Sequence, residues 1–306
     1  MPLHIQTPYL RSQAASGRLG KDVLLKIEAM QPCGSFKLRG VGVVCDARRA
    51  AGARRFVSSS GGNAGIAVAY AGRELGVPVL VVVPESTSAR ARELIRVEGA
   101  ELVVHGASWV EANAFAQSVL GPHDAFVHPF DDPVLWHGHA TMIDEMAAAG
   151  PRPDAVVLAV GGGGLLCGVL EGLARNGWRD VPVVAVQTEG ADSYARSVAL
   201  GRPVELPEIT SVATSLGAKR PCDAALEWAT RHAIETVVVS DAAAVAASLR
   251  FLDEHRIVVE PACGAALAAL DTATPALAAA SRIAVIVCGG VTATIEQLQS
   301  WSTTLR

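Results

Sequence analysis

The chain has 306 residues, 50% hydrophobic and 18% charged, with a formal net charge of -4 at pH 7. That length carries one large α/β unit or two packed units, and the composition is that of a globular rather than a disordered chain. Without net positive charge, or a Lys/Arg cluster interleaved with aromatics, the chain is no nucleic-acid binder, and no apolar run approaches the ~20 residues of a membrane helix.

The opening stretch "MPLHIQTPYLRS" lacks the apolar core of a signal peptide, so a soluble cytoplasmic protein is expected. Short β-branched runs then alternate with alanine-rich stretches of helical length. The runs are "VLLKI" (23–27), "RRFVS" (54–58), "VPVLVVV" (77–83), "AELVVH" (100–105), "DAVVLAV" (154–160), "VPVVAVQ" (181–187), "ETVVVS" (235–240) and "RIAVIVC" (282–288). Nearly all-apolar strands separated by helices predict a doubly wound α/β design, a parallel sheet covered on both faces. The stretch "GPHDAFVHPFDDP" (121–133) holds prolines and aspartates too close together for one element and is taken as a hinge. A unit over 33–131 would then sit against a second made of 1–32 plus 132–306. Cysteines 33, 45, 167, 222, 263 and 288 have no C-x-x-C spacing, which points to free thiols in a reducing compartment rather than zinc or disulfides.

Lys37 stands in "QPCGSFKLRGV" behind a Gly-Ser turn, where a solvated first-turn lysine is the plain reading. Three glycine-bearing turns follow predicted strands: "SSSGGNAG" (58–65), "GGGGLLCG" (161–168) and "CGGVTAT" (288–294). In an open parallel sheet such turns can converge on one crevice beyond the strand ends. Gly161, Gly162, Gly163 and Gly164 open onto an apolar helical run, so free backbone N–H groups there suit a phosphate, although the run is neither a dinucleotide nor a triphosphate motif. A tight turn with no ligand competes with that reading. Ser60, Gly61, Gly62 and Asn63 offer hydroxyl, amide and backbone donors at another helix start, suited to a carboxylate or a phenolic oxygen; an ordinary cap competes. Cys288 ends a buried strand and by itself reads as a core thiol. His128, His137 and His139 with Asp131 lack metal-site spacing and read as contact or solvated residues; Asp131 and Asp132 read as turn and N-cap residues before Pro133.

The sequence resembles the serine/threonine dehydratase family, the fold type II branch of pyridoxal-phosphate enzymes, and within it the animal-type serine dehydratases. The resemblance rests on "GSFKLRG" (34–40), "SSGGNAG" (59–65), "VPVLVVVPE" (77–85), "PFDDPVLWHGHAT" (129–141), "VGGGGLLCGV" (160–169), "TSVATSLGA" (210–218), "VEPACGAALAAL" (259–270) and "VIVCGG" (285–290), in family order over nearly the whole chain. It implies a tryptophan synthase β-like fold: two open parallel-sheet domains with helices on both faces and the cofactor in the cleft between them. It also implies pyridoxal 5'-phosphate, with Lys37 bound to its aldehyde as a Schiff base and then acting as the Cα base. Phe36 would flank one ring face and Ser215 the other, where relatives often have alanine. Asn63 would meet the phenolic oxygen, Gly161 to Gly164 and Leu165 the phosphate, and Cys288 the pyridine nitrogen. Ser60, Gly61 and Gly62 would take the substrate carboxylate.

The implied activity is an L-serine ammonia-lyase giving pyruvate and ammonia, with 2-oxobutyrate from L-threonine. A serine racemase, a threonine-preferring dehydratase, a sulfhydrylase and a cofactor-binding protein without turnover are the alternatives. Many relatives bind a monovalent cation, usually potassium; the matching carbonyls here are those of Gly161, Ala191, Leu216 and Ala218. The carboxylate expected beside them is replaced by Gln187, so weaker or absent cation binding is expected. A homodimer is implied, and no appended regulatory domain is expected after "IEQLQSW".

Overall fold

The computed structural model describes residues 1–305. Its strands are β1 (Tyr9–Arg11), β2 (Asp22–Ile27), β3 (Arg55–Ser58), β4 (Val79–Val83), β5 (Glu101–Val104), β6 (Asp124–Phe126), β7 (Ala155–Ala159), β8 (Val183–Thr188), β9 (Ile234–Val239) and β10 (Arg282–Val287). They form a 6-stranded sheet in the order β1-β2-β10-β7-β8-β9 and a 4-stranded sheet in the order β5-β4-β3-β6. All pairings are parallel except β1 with β2. The central strands β4, β7 and β8 are buried along their whole length, which is why they read as continuous apolar runs. This is the α/β arrangement of parallel sheets that the alternation of runs predicts.

Two strands escaped sequence reading. β1 is a three-residue edge strand, and β6 lies inside the proline- and aspartate-rich stretch taken as a hinge. A three-residue strand shows only one inward side chain, Ala125 in β6, so no alternation is visible; pairing with β3 supplies its order instead. The turn proper follows β6. Asp132 then caps the helix Pro133–Ala149, its side chain accepting from Val134 N–H at 2.8 Å, with proline at the first helical position.

That helix joins two hydrophobic cores. Leu135 packs with the core of the 4-stranded sheet, whereas Met142, Ile143 and Met146 pack with the core of the larger sheet. It crosses the helix Lys37–Ala50 at contact distance, because Gly138 and Gly40 face each other there; a Cβ on Gly138 would lie 2.6 Å from Arg39 O. Beside the crossing, Arg39 is fully buried with Glu28 and donates to its carboxylate at 2.7 and 2.8 Å; its other face donates to Glu145. Lys26, also fully buried, shares Glu145 and donates to Thr7 O at 2.8 Å. This ionic cluster ties the N-terminal segment, β2 and two helices to the start of the helix that Lys37 opens.

Candidate active site

Helix starts and strand ends build the site. Gly34 turns the chain at φ 74, and Phe36 N–H donates to Cys288 O at 3.1 Å, seating Lys37 beside the end of β10. Lys37 is the first residue of its helix and is half-buried; its Nζ donates to Pro129 O at 2.5 Å and lies 5.2 Å from the Phe36 ring centroid. Burial pushes the Lys37 amine down to about 8, with the Cys288 and Glu260 side chains pulling weakly the other way. A lysine so depressed is a usable base and nucleophile near neutral pH.

The glycine run follows β7 and caps the helix Gly164–Arg175, with Gly163 at φ 98. Phe130 is packed onto it: a Cβ on Gly162 would lie 2.5 Å from the Phe130 ring, and one on Gly164 2.5 Å from Phe130 O. Among the described residues, the N–H groups of Gly161 to Leu165 have no acceptor in the protein. Consecutive free amides at a helix start form a cradle for an anion, and packed neighbours leave no room for a Cβ at Gly162, Gly163 or Gly164.

The second turn follows β3. Ser60 Oγ accepts from Gly62 N–H at 3.3 Å, and a Cβ on Gly61 would meet Thr87 Oγ1 at 2.6 Å. Asn63 begins the next helix and reaches across to the larger sheet's side. Its Nδ2 donates to Glu260 Oε1 at 2.8 Å and approaches the exposed Ser215 Oγ at 3.4 Å, while its Oδ1 accepts from Val291 N–H at 3.2 Å. Glu260 is buried, so desolvation raises it above the ordinary carboxylate value, partly offset by donors from Ser215, Asn63 and Thr292. Cys288 is buried too; contact with the Cys263 thiol and burial push it well above an ordinary thiol, which keeps it neutral.

The backbone oxygens matched to a cation site all have roles inside the chain, apart from that of Gly161. Ala191 O accepts from Gln187 Nε2 at 3.0 Å, Ala218 O from Ser193 Oγ at 2.8 Å, and Leu216 O from Ala218 N–H at 2.8 Å. The histidines stand apart from one another. His137 is exposed and contacts Glu171, His128 Nδ1 accepts from Asp131 N–H at 2.7 Å, and His139 is buried against Phe36 and accepts from Gly40 N–H at 3.2 Å.

Phe36 contacts Lys37 and Cys288, Asn63 contacts Ser215, and Gly161 packs against the Ser215 backbone; Ser60 to Gly62 adjoin Asn63 along the chain. Sequence reasoning did not single out Glu260, Thr292, Phe130 or the Pro129 carbonyl. A carboxylate inside the apolar run "VVEPACGAALAAL" is the signal that could have found Glu260, since such a group is buried only with partners.

The family described as pyridoxal-phosphate dependent enzyme matches residues 1–289. A curated Mus musculus protein named "Serine dehydratase-like" is 48% identical over 97% of this chain and 94% of its own length. A Homo sapiens protein named "L-serine dehydratase/L-threonine deaminase" is 44% identical over 98% of this chain and 94% of its own. Among solved structures, a fungal L-serine ammonia-lyase from Rhizomucor miehei superposes with a TM-score of 0.92 at 34% identity, covering 100% of both chains.

Proposed function

The chain belongs to the family of pyridoxal-phosphate dependent enzymes, and on that footing we propose that it is a lyase that converts L-serine to pyruvate and ammonia and L-threonine to 2-oxobutyrate and ammonia. The observation that carries this is Lys37: a buried-stem amine lowered to about 8, facing a neutral thiol, in a chain whose relatives bear serine dehydratase names.

The residues fit pyridoxal 5'-phosphate. The free amides at Gly161, Gly162, Gly163, Gly164 and Leu165 have the polarity to hold a phosphate, and Phe130 packs against Gly162 and Gly164. Asn63 would hold the phenolic oxygen, Cys288 would adjoin the ring nitrogen, and Phe36 and Ser215 would border the ring faces. When bound, the cofactor supplies an aldehyde that holds an amine and a ring that draws electron density from Cα.

The chain's own residues then share the remaining work. Ser60, Gly61 and Gly62 orient the substrate carboxylate with a hydroxyl and backbone N–H groups, which fixes the Cα–H bond toward Lys37. Lys37 Nζ would hold the cofactor aldehyde and, once free, would take the Cα proton; its depressed basicity makes the neutral amine more available near neutral pH than that of an ordinary lysine. Cys288, a neutral thiol, would offer no anion to hold a proton on the ring nitrogen, so less charge from Cα would be drawn into the ring. That favours expulsion of the β-hydroxyl over transamination.

The 4-stranded sheet is read as the small domain, residues 33–131, and the 6-stranded sheet as the large one, 1–32 plus 132–306. Six free, buried cysteines accord with a reducing cytoplasm; a homodimer rests on the resemblance alone. The test is incubation of the protein, loaded with pyridoxal 5'-phosphate, with L-serine, following pyruvate and the chirality of the remaining serine. Pyruvate formed while the remaining serine keeps its L configuration supports the lyase; D-serine without pyruvate overturns it.

A further inference from the structure

Gln187 lies near the end of β8 and is wholly buried. Its Nε2 donates to Val160 O at 2.9 Å and Ala191 O at 3.0 Å, while its Oε1 accepts from Ala195 N–H at 2.8 Å. These partners fix the amide's orientation. Reversed, its oxygen would face two carbonyl oxygens and its NH2 would face an N–H. Val160 is the residue before Gly161, so this one side chain ties the root of the glycine cradle to the turn at Ala191 and the helix Ser193–Leu200.

We infer that Gln187 is a positioning residue whose amide NH2 replaces a monovalent cation beneath the cradle, leaving the protein independent of potassium. The NH2 group presents two donors between two carbonyl oxygens, the place where a cation would neutralise their partial charges. A cation seated there would have to displace it. Of the other oxygens matched to such a site, Ala218 O and Leu216 O already accept from Ser193 Oγ and Ala218 N–H. A carboxylate at 187 would reverse the situation. It would set an oxygen against Val160 O and Ala191 O at the 2.9 and 3.0 Å now spanned by N–H donors, a buried cluster of negative ends that needs a cation between them. Gln187→Glu is therefore expected to create a potassium requirement that the natural chain lacks.

The activity arm of the test rests on the lyase reading; the melting arm does not. Natural protein and Gln187→Glu are compared in potassium chloride and in tetramethylammonium chloride at equal ionic strength, by thermal melting of the cofactor-free protein and by pyruvate formation from L-serine. The natural protein should give the same melting temperature and the same rate, within twofold, in both salts. Gln187→Glu should melt several degrees higher and react at least about tenfold faster in potassium, saturably. A saturable rise of the natural protein's melting temperature or rate with potassium overturns the inference, as does a folded Gln187→Glu indifferent to the salt. If Gln187→Glu folds in neither salt, the natural protein's response decides alone. Absence of pyruvate in every arm with the melting pattern intact sinks the lyase reading and leaves Gln187's role standing.

Discussion

Glu260 and Asn63, 197 positions apart in sequence, meet in a 2.8 Å hydrogen bond that spans the two sheets. Asn63 begins the helix after β3, and Glu260 precedes the helix Pro261–Ala268 against the larger sheet. The bond leaves Asn63 one orientation of its amide, the one that turns a donor toward Ser215 and the crevice. Glu260→Ala strands that donor and the Thr292 hydroxyl, and should cost about 1–3 kcal/mol of stability by urea unfolding. Burial raises Glu260 in the folded state, so the stabilisation tied to its proton is full below the ordinary value of ~4.3 and is lost as pH climbs through the raised one. Glu260→Gln, of the same shape and uncharged, should therefore flatten the decline of melting temperature with rising pH. An unchanged slope would mean that Glu260 does not titrate in that window.

Lys37 should reveal its depressed basicity before any substrate is added. Only the neutral amine attacks an aldehyde, and below about 8 its fraction falls tenfold for each pH unit. The rate at which cofactor-free protein gains visible absorbance from pyridoxal phosphate should rise with pH and level off above about 8. An ordinary lysine would keep the rate climbing toward 10. Lys37→Ala should lose the absorbance that borohydride fixes, and lose at least ~10²–10⁴-fold in pyruvate formation through the missing base alone.

How much of this was legible before the fold was known follows from the physics of each signal. β7 and β8 were readable because parallel strands buried on both faces must be continuously apolar. The glycine run was readable as a strand-to-helix turn able to take an anion, but a tight turn with no ligand competed with that reading, and only the fold shows its N–H groups without acceptors among the described residues. Lys37 was not readable from its own surroundings, since a Ser-Phe-Lys at a helix start is as compatible with solvent; the resemblance across the chain singled it out. β6 was hidden because its order comes from pairing with β3, not from its three residues. Glu260 was hidden because its partners lie 197 and 32 positions away, so spacing along the chain carries no trace of the contact.

Arg39 should matter to stability more than any exposed ion pair. Its guanidinium is wholly buried and divides its donors between Glu28 and Glu145, with Thr141 Oγ1 at 3.0 Å. Arg39→Met removes the cation and leaves Glu28, also wholly buried, with only the neutral donors Thr7 and Gln31. The expected loss is roughly 3–5 kcal/mol in urea unfolding, because the remaining charge is uncompensated. Arg39→Lys should lie between, since a single ammonium cannot fork onto two carboxylates. Because Arg39 sits two residues beyond Lys37 on the same helix, Arg39→Met should also weaken binding of pyridoxal phosphate, readable by fluorescence titration. A loss below 1 kcal/mol would show that water enters the cluster.

Cys288 tests the electronic part of the lyase reading. The thiol is buried, touches Cys263 and is held neutral, so the ring nitrogen beside it would have no firmly bound proton. Serine is also neutral and nearly the same size, and Cys288→Ser should keep pyruvate formation within about threefold, which is less than 1 kcal/mol in the barrier. Aspartate at 288 is different: paired with a protonated ring nitrogen it would be stabilised as an ion pair, and the ring would then hold charge from Cα instead of passing it to the β-carbon. Cys288→Asp should cut pyruvate formation at least about tenfold while exchange of the Cα proton with deuterated solvent continues, because Lys37 remains in place. Equal losses of exchange and elimination would point to a misplaced cofactor, and an undiminished rate in Cys288→Asp would show that the protonation state of the ring nitrogen does not direct the reaction.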